Sequence, residues 1–138
     1  MRDYYKWAKE FADKHIAPFA EEIDKTGKFP EEIFKKISKE GFFKIVIPEE
    51  LGGEGQGIYA HAKVTQAFAE ACATAGLCYT MHNVALKFTL TFGREEIKQQ
   101  IVKDIIENNK FMTLARSEFG TGVHVFNSEL EVENHDDY

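Results

Sequence analysis

Lys110-Phe-Met-Thr-Leu-Ala-Arg-Ser-Glu-Phe-Gly-Thr-Gly-Val-His-Val-Phe126 is the stretch on which the reading of the fold turns. Before it, apolar residues recur with a helical period; within and after it they alternate as in a β-strand. Phe111 to Arg116 reads as a buried strand and Phe119 to Gly122 as a turn. Asn127 to Glu133 sets Leu130 and Val132 against three glutamates, the pattern of a half-exposed strand. Two strands are marginal in water unless they pack on something, and the chain ends at Tyr138. The fold expected is all-α: a helical bundle of about five helices over residues 1–110, then one or two short β-strands that begin an incomplete β-domain over 111–138.

Working outward from that stretch, the first helix is expected over Arg2 to Ile23. Tyr4, Trp7, Ala8, Phe11, Ala12, Ile16 and Phe19 follow i, i+3, i+4 spacing, and Pro18 is placed to kink it. Gly27 suits the left-handed backbone that ends helices. Pro30-Glu31-Glu32 opens a second helix with an inner face of Ile33, Phe34 and Ile37, closed at Gly41. Phe42 to Pro48 reads as a short extended apolar segment, and Glu49 to Gly57, with four glycines, as loop. A third helix, Ile58 to Ala75, has an expected inner stripe of Ile58, Ala62, Thr65, Ala69 and Cys72, and Gly76 is read as its break. The fourth, Leu77 to Phe92, turns Met81, Val84, Ala85 and Phe88 inward. The fifth, Glu95 to Asn108, turns Ile97, Ile101, Val102, Ile105 and Ile106 inward.

The net charge of −6 is concentrated at one end. The last ten residues hold five acids and no Lys or Arg, which leaves 17 bases against 18 acids in the body of the chain. A nearly neutral body offers no basic face for phosphates, so nucleic acid is not an expected partner. No run of apolar residues is long enough for a membrane span, and the N-terminus lacks a signal-peptide core; a cytoplasmic location is expected, or an organelle whose address was removed. Cys72 and Cys78, six apart, fit neither a zinc knuckle nor a redox pair and read as free thiols.

The glycine loop invites a nucleotide-binding reading, and spacing argues against it. A dinucleotide fingerprint needs glycines at the first, third and sixth positions. Counting from Gly53 the sixth is Ile58, and from Gly55 it is Ala60. Among the five histidines there is no i, i+4 pair and no HExxH, so no metal site is expected. His82 lies near the inner stripe of the fourth helix, as a core or cleft histidine or as a substrate contact. Glu118 sits at an apolar-to-turn junction, placed to pair with Arg116 or to cap backbone amides there, and nothing in the sequence identifies it as a general base. No catalytic residue is assigned.

Four markers in order give the chain a relationship. They are Ile16-Ala17-Pro18 with Glu22-Ile23-Asp24 and Phe29-Pro30; Gly41 to Gly55, reading Gly-Phe-Phe-Lys-Ile-Val-Ile-Pro-Glu-Glu-Leu-Gly-Gly-Glu-Gly; Phe92-Gly93 with Glu95-Glu96-Ile97-Lys98; and Leu114 to His124. With these the chain resembles the N-terminal part of the FAD-dependent acyl-CoA dehydrogenases, whose order is a helical domain, a β-domain and a C-terminal bundle. The resemblance implies an oxidoreductase that uses FAD to dehydrogenate an acyl-CoA thioester and passes electrons to a carrier flavoprotein. The glutamate that removes the α-proton belongs to the C-terminal bundle. The present chain is therefore expected to be inactive and to hold FAD weakly by itself.

By the same resemblance, Leu114, Ala115, Arg116 and Ser117 lie along the flavin edge. Val123 stands where a serine usually contacts the acyl-CoA, and Tyr79, Met81, His82 and Leu86 fall in a region that lines the acyl cavity. Phe119, Arg116 and His124 depart from the family's usual proline, small apolar residue and aspartate, which points to a divergent subgroup or an altered substrate. An apolar surface around Phe111, Leu114, Phe119, Val123, Val125 and Phe126 implies self-association or a homo-oligomer. Two other readings stay open: a non-enzymatic helical interaction module, or an acyl-binding fragment, that pairs with a separately encoded remainder.

Overall fold

The computed structural model describes residues 2–115 together with Glu118 and Glu131. Asp3 caps helix α1 (Tyr4–His15) by accepting from the Lys6 N–H at 3.0 Å. Pro18 has no amide to continue the ladder, and the chain passes through a 3₁₀ turn at Ala17–Phe19 before it resumes as α2 (Ala20–Thr26). The single helix expected over Arg2 to Ile23 is thus divided, and the described residues hold six α-helices. Gly27 (φ 62°) ends α2, and Gly41 (φ 98°) ends α3 (Glu31–Glu40), both in the left-handed region. The remaining helices are α4 (Ile58–Ala71), α5 (Ala73–Phe92) and α6 (Glu95–Asn108), the last closed by Asn109 at φ 53°.

The segment Phe42 to Pro48 is not extended. Phe42–Lys44 form a 3₁₀ turn, and Glu49–Leu51 form a second. A strand would send alternate side chains to opposite faces. Here Phe42, Phe43, Ile45 and Ile47 are all at most 1% exposed, and the winding lets all four enter the core. The glycine loop folds back on this segment. Glu54 N–H donates to Lys44 O, Gly55 N–H to Ile47 O and Gln56 N–H to Ile45 O, at 2.8–2.9 Å. The Glu54 carboxylate also accepts from Arg2 and from the Tyr4 hydroxyl, both at 2.8 Å, which ties the loop to α1.

Phe42 is the centre of an aromatic cluster. Its ring stacks on Trp7 of α1 at 3.9 Å and meets Phe11 at 5.1 Å and Phe68 of α4 at 5.0 Å, both edge-on. The Tyr79 hydroxyl of α5 donates to the Phe42 carbonyl at 3.0 Å. Helices α1, α4 and α5 are thereby joined around one residue. The expected inner face of α3 is observed: Ile33, Phe34 and Ile37 are buried.

Three inner stripes differ from expectation; in α6, Ile97 is exposed while Val102 and Ile105 are buried. In α4 the buried residues are Ala60, His61, Val64, Ala67 and Phe68, while Ile58, Ala62 and Ala69 are exposed. Alanine fits either face, and Phe68 decides which face turns inward. In α5 the buried residues are Ala75, Gly76, Tyr79, His82, Asn83, Ala85 and Leu86, while Val84 and Phe88 face outward.

Gly76 does not break a helix. The break is at Cys72, whose extended backbone (φ −159°, ψ 115°) separates α4 from α5. Gly76 lies inside α5, where an added Cβ would sit 2.6 Å from the Cβ of Ala69. It is a point of close approach between the two helices. Gly76→Val is expected to lower stability by about 1–3 kcal/mol through overpacking, read from urea unfolding. Gly76→Ala costs less, because alanine regains roughly 1 kcal/mol of helix propensity. An unchanged midpoint for the valine variant would contradict the close approach.

Phe111–Ala115, the described part of the first expected strand, pairs with no strand among the described residues. It is not buried either: Phe111 is 38% exposed, its ring against Phe29 and Phe34 at 5.0 and 5.7 Å. A strand needs a ladder partner. The other expected strand, Asn127 to Glu133, lies outside the described residues except for the exposed Glu131. The turn at Phe119 to Gly122 and the apolar positions Phe119, Val123, Val125 and Phe126 also lie outside them.

Candidate functional site

Helix α5 carries one charged residue, Lys87, in its 20 positions. Such a helix is apolar on more than one side. One side packs on α4 and Phe43. The other leaves Val84 41%, Phe88 58% and Phe92 72% exposed. Together with Ile58 and Gly57 at the start of α4 and with Val46, these residues line an open cleft of about 350 Å³. The Phe88 and Phe92 rings are 4.9 Å apart and form one aromatic wall. Lys87 is a lining residue of this otherwise mostly apolar cleft. A cleft of this composition takes an apolar group and excludes water from it.

Polar groups stand at the cleft's floor. His61 and Asn83 line it, and both are buried. The Asn83 amide donates to the Tyr79 carbonyl at 2.9 Å, while its Oδ1 has no protein partner among the described residues. The His61 ring stacks against Tyr79 at 5.4 Å, and its Nδ1 is likewise unpartnered. Burial holds the His61 imidazole below its ordinary pKa.

Of the residues expected to contact substrate, Tyr79, His82 and Leu86 are fully buried and stand behind the cleft's surface, while Met81 is half-buried. Burial pushes the Tyr79 phenol up. His82 packs on the Phe43 ring at 3.9 Å, and its Nδ1 accepts from the Met112 N–H at 2.9 Å. That bond assigns the neutral tautomer with the proton on Nε2. Burial, and secondarily the nearby His61, lower the His82 pKa to about 3. Of the expected flavin-edge residues, Leu114 is half-buried and Ala115 exposed. Arg116, Ser117 and Val123 lie outside the described residues. Sequence reasoning missed Ile58, Val84, Phe88 and Phe92 as lining residues. The available signal was the near absence of charge around α5.

No group of three or more His, Cys, Asp or Glu among the described residues could hold a metal ion. Cys72 and Cys78 are free, the first buried and the second half-buried. No helix among the described residues is long and apolar enough to cross a membrane.

The family model for the acyl-CoA dehydrogenase N-terminal domain matches residues 2–109. The chain is 36% identical over 118 residues to a 3-(aryl)acrylate reductase of Clostridium sporogenes, covering 85% of this chain and 31% of that one. It is 33% identical over 115 residues to the mitochondrial short-chain specific acyl-CoA dehydrogenase of Sus scrofa, covering 83% and 28%. A chain solved in work on the electron transferring flavoprotein of Acidaminococcus fermentans and flavin-based electron bifurcation superposes with a TM-score of 0.80. That match has 25% identity and covers 92% of this chain and 35% of that one. The present chain spans about a third of the length of each of these proteins. It belongs to the acyl-CoA dehydrogenase family, through the family's N-terminal domain.

Proposed function

We propose that this chain forms one wall of the acyl-CoA site of an FAD-dependent enzyme that dehydrogenates an acyl-CoA thioester. The observation that carries the reading is the cleft. An apolar surface of Val84, Phe88, Phe92 and Ile58 stays open beside a helix that buries Tyr79, His82, Ala85 and Leu86 in the core. These side chains hold an acyl chain by excluding water from its methylenes, at roughly 0.8 kcal/mol per buried CH₂. Tyr79, His82 and Leu86 support that wall from behind.

When bound, FAD supplies the acceptor for the hydride that leaves the acyl β-carbon. The residues present fit its edge as far as they are described. Leu114 and Ala115 follow Met112, which is bonded to His82 of the same helix that lines the cleft, and Ala115 is exposed. Arg116 and Ser117 complete that edge in the proposal. A carrier flavoprotein is the proposed electron acceptor. The uncovered α5 face also suits packing against further protein, including a second copy of the chain.

The test is titration of the chain with short- and long-chain acyl-CoA, followed by calorimetry. Val84→Asp and Phe88→Asp place a charged carboxylate in the apolar wall and are expected to weaken binding by about ten-fold or more. Binding that is equal in the native chain and in both variants would overturn the assignment of the wall.

A further inference from the structure

The main chain that leaves α6 is fastened to the bundle at successive residues. Asn109 takes the left-handed turn and meets the Ser38 hydroxyl of α3 at 3.1 Å. The Lys110 N–H donates to the Asp104 carbonyl at 3.2 Å, and its Nζ pairs with the Asp104 carboxylate at 3.1 Å. The Phe111 ring rests on Phe29 and Phe34. The Met112 N–H then donates to His82 Nδ1 at 2.9 Å. This last contact differs in kind from the others, because its acceptor is a side chain in the core, at 0% exposure.

Packing alone does not explain a histidine at this place. The ring lies on Phe43 at 3.9 Å, a contact that a phenylalanine would make equally well. The imidazole also carries a buried Nε2 with no partner among the described residues. Burying an unpaired polar atom is unfavourable. What the imidazole provides and an apolar ring does not is an acceptor for the Met112 amide. We propose that His82 is a positioning residue, whose Nδ1 holds the Met112 amide and so fixes the main chain that runs on to Leu114 and Ala115. Its consequence for a flavin rests on the reading of that segment given above; the latch itself does not.

The test is amide hydrogen exchange on the isotopically labelled 138-residue chain, with no flavin present. His82→Phe keeps the ring and removes the acceptor. Met112 is expected to exchange roughly ten- to hundred-fold faster, with the amides of α4 and α5 unchanged. His82→Asn loses ring packing but places Oδ1 near the position of Nδ1, and is expected to restore slow exchange at Met112. A purely structural role predicts the reverse ranking. The latch is overturned if Met112 stays protected in the phenylalanine variant, or if asparagine protects it no better than phenylalanine does.

Should either variant fail to fold, the native chain decides. Slow exchange at Met112 with the His82 proton on Nε2, read from the ring nitrogen shifts, supports the latch. Free exchange at Met112, or a proton on Nδ1, overturns it. Acyl-CoA or flavin binding is not involved in any of these outcomes, so failure of the latch and failure of the proposed function remain separable.

Discussion

Phe42→Ala is expected to destabilise the chain by about 3–5 kcal/mol, the usual range for removing a buried phenylalanine. Four rings converge here: Phe42 itself, Trp7 stacked at 3.9 Å, and Phe11 and Phe68 edge-on. They come from α1, α4 and the 3₁₀ turn after α3, so the cavity left by alanine cannot be closed by moving one element. Domains of this size are stable by only about 5–15 kcal/mol, so the variant is expected to be partly unfolded at moderate temperature. Urea unfolding followed by far-ultraviolet circular dichroism reads the change. The exposed Phe92 serves as control, and Phe92→Ala is expected to stay within about 0.5 kcal/mol of the native chain. A loss below about 1 kcal/mol for Phe42→Ala would mean that the cluster is not the centre of the fold.

Stability is expected to fall as the solution is acidified from pH 6.5. His82 is held neutral in the folded chain down to about pH 3, whereas in the unfolded chain it titrates at its ordinary 6.5. Between those values the unfolded state binds the extra proton. Unfolding free energy therefore decreases as pH falls, with a slope near 1.4 kcal/mol per pH unit once the unfolded histidine is charged. Burial shifts His61 in the same direction, which steepens the fall. The upper part of this window lies above the ordinary carboxylate range, so histidines dominate it. His82→Phe removes the larger contribution, and its stability profile is expected to be flatter between pH 7 and pH 5. Equal stability of the native chain at those two values would contradict a buried, neutral His82.

The parts of the fold that were legible in the sequence are those where polarity separates the two faces of an element. Helix α3 is one: Ile33, Phe34 and Ile37 stand opposite glutamates and lysines, and the expected face is the buried face. The ends at Gly27 and Gly41 were legible because both take the left-handed backbone that glycine permits. In α4 the alanines on both sides made the stripe ambiguous. In α5 the difficulty was a second apolar side: Val84 and Phe88 have the hydropathy of core residues and line the cleft instead.

Gly76 shows a related limit. A glycine that ends a helix and one that admits a neighbour look alike in sequence, and only the distance to Ala69 separates them. The candidate site was legible as a region, α5 and the segment after α6, but not residue by residue. The bond from Met112 to His82 joins positions 30 apart, and nothing in the local pattern marks it.

The acyl wall is tested most directly by intermolecular nuclear Overhauser contacts between a bound acyl-CoA and the labelled chain. Contacts from the acyl methylenes to the side chains of Val84, Phe88, Phe92 and Ile58 are the predicted result. Contacts confined to the separate groove bordered by Phe19, Phe29 and Glu32, or none from the acyl chain at saturating ligand, would contradict it.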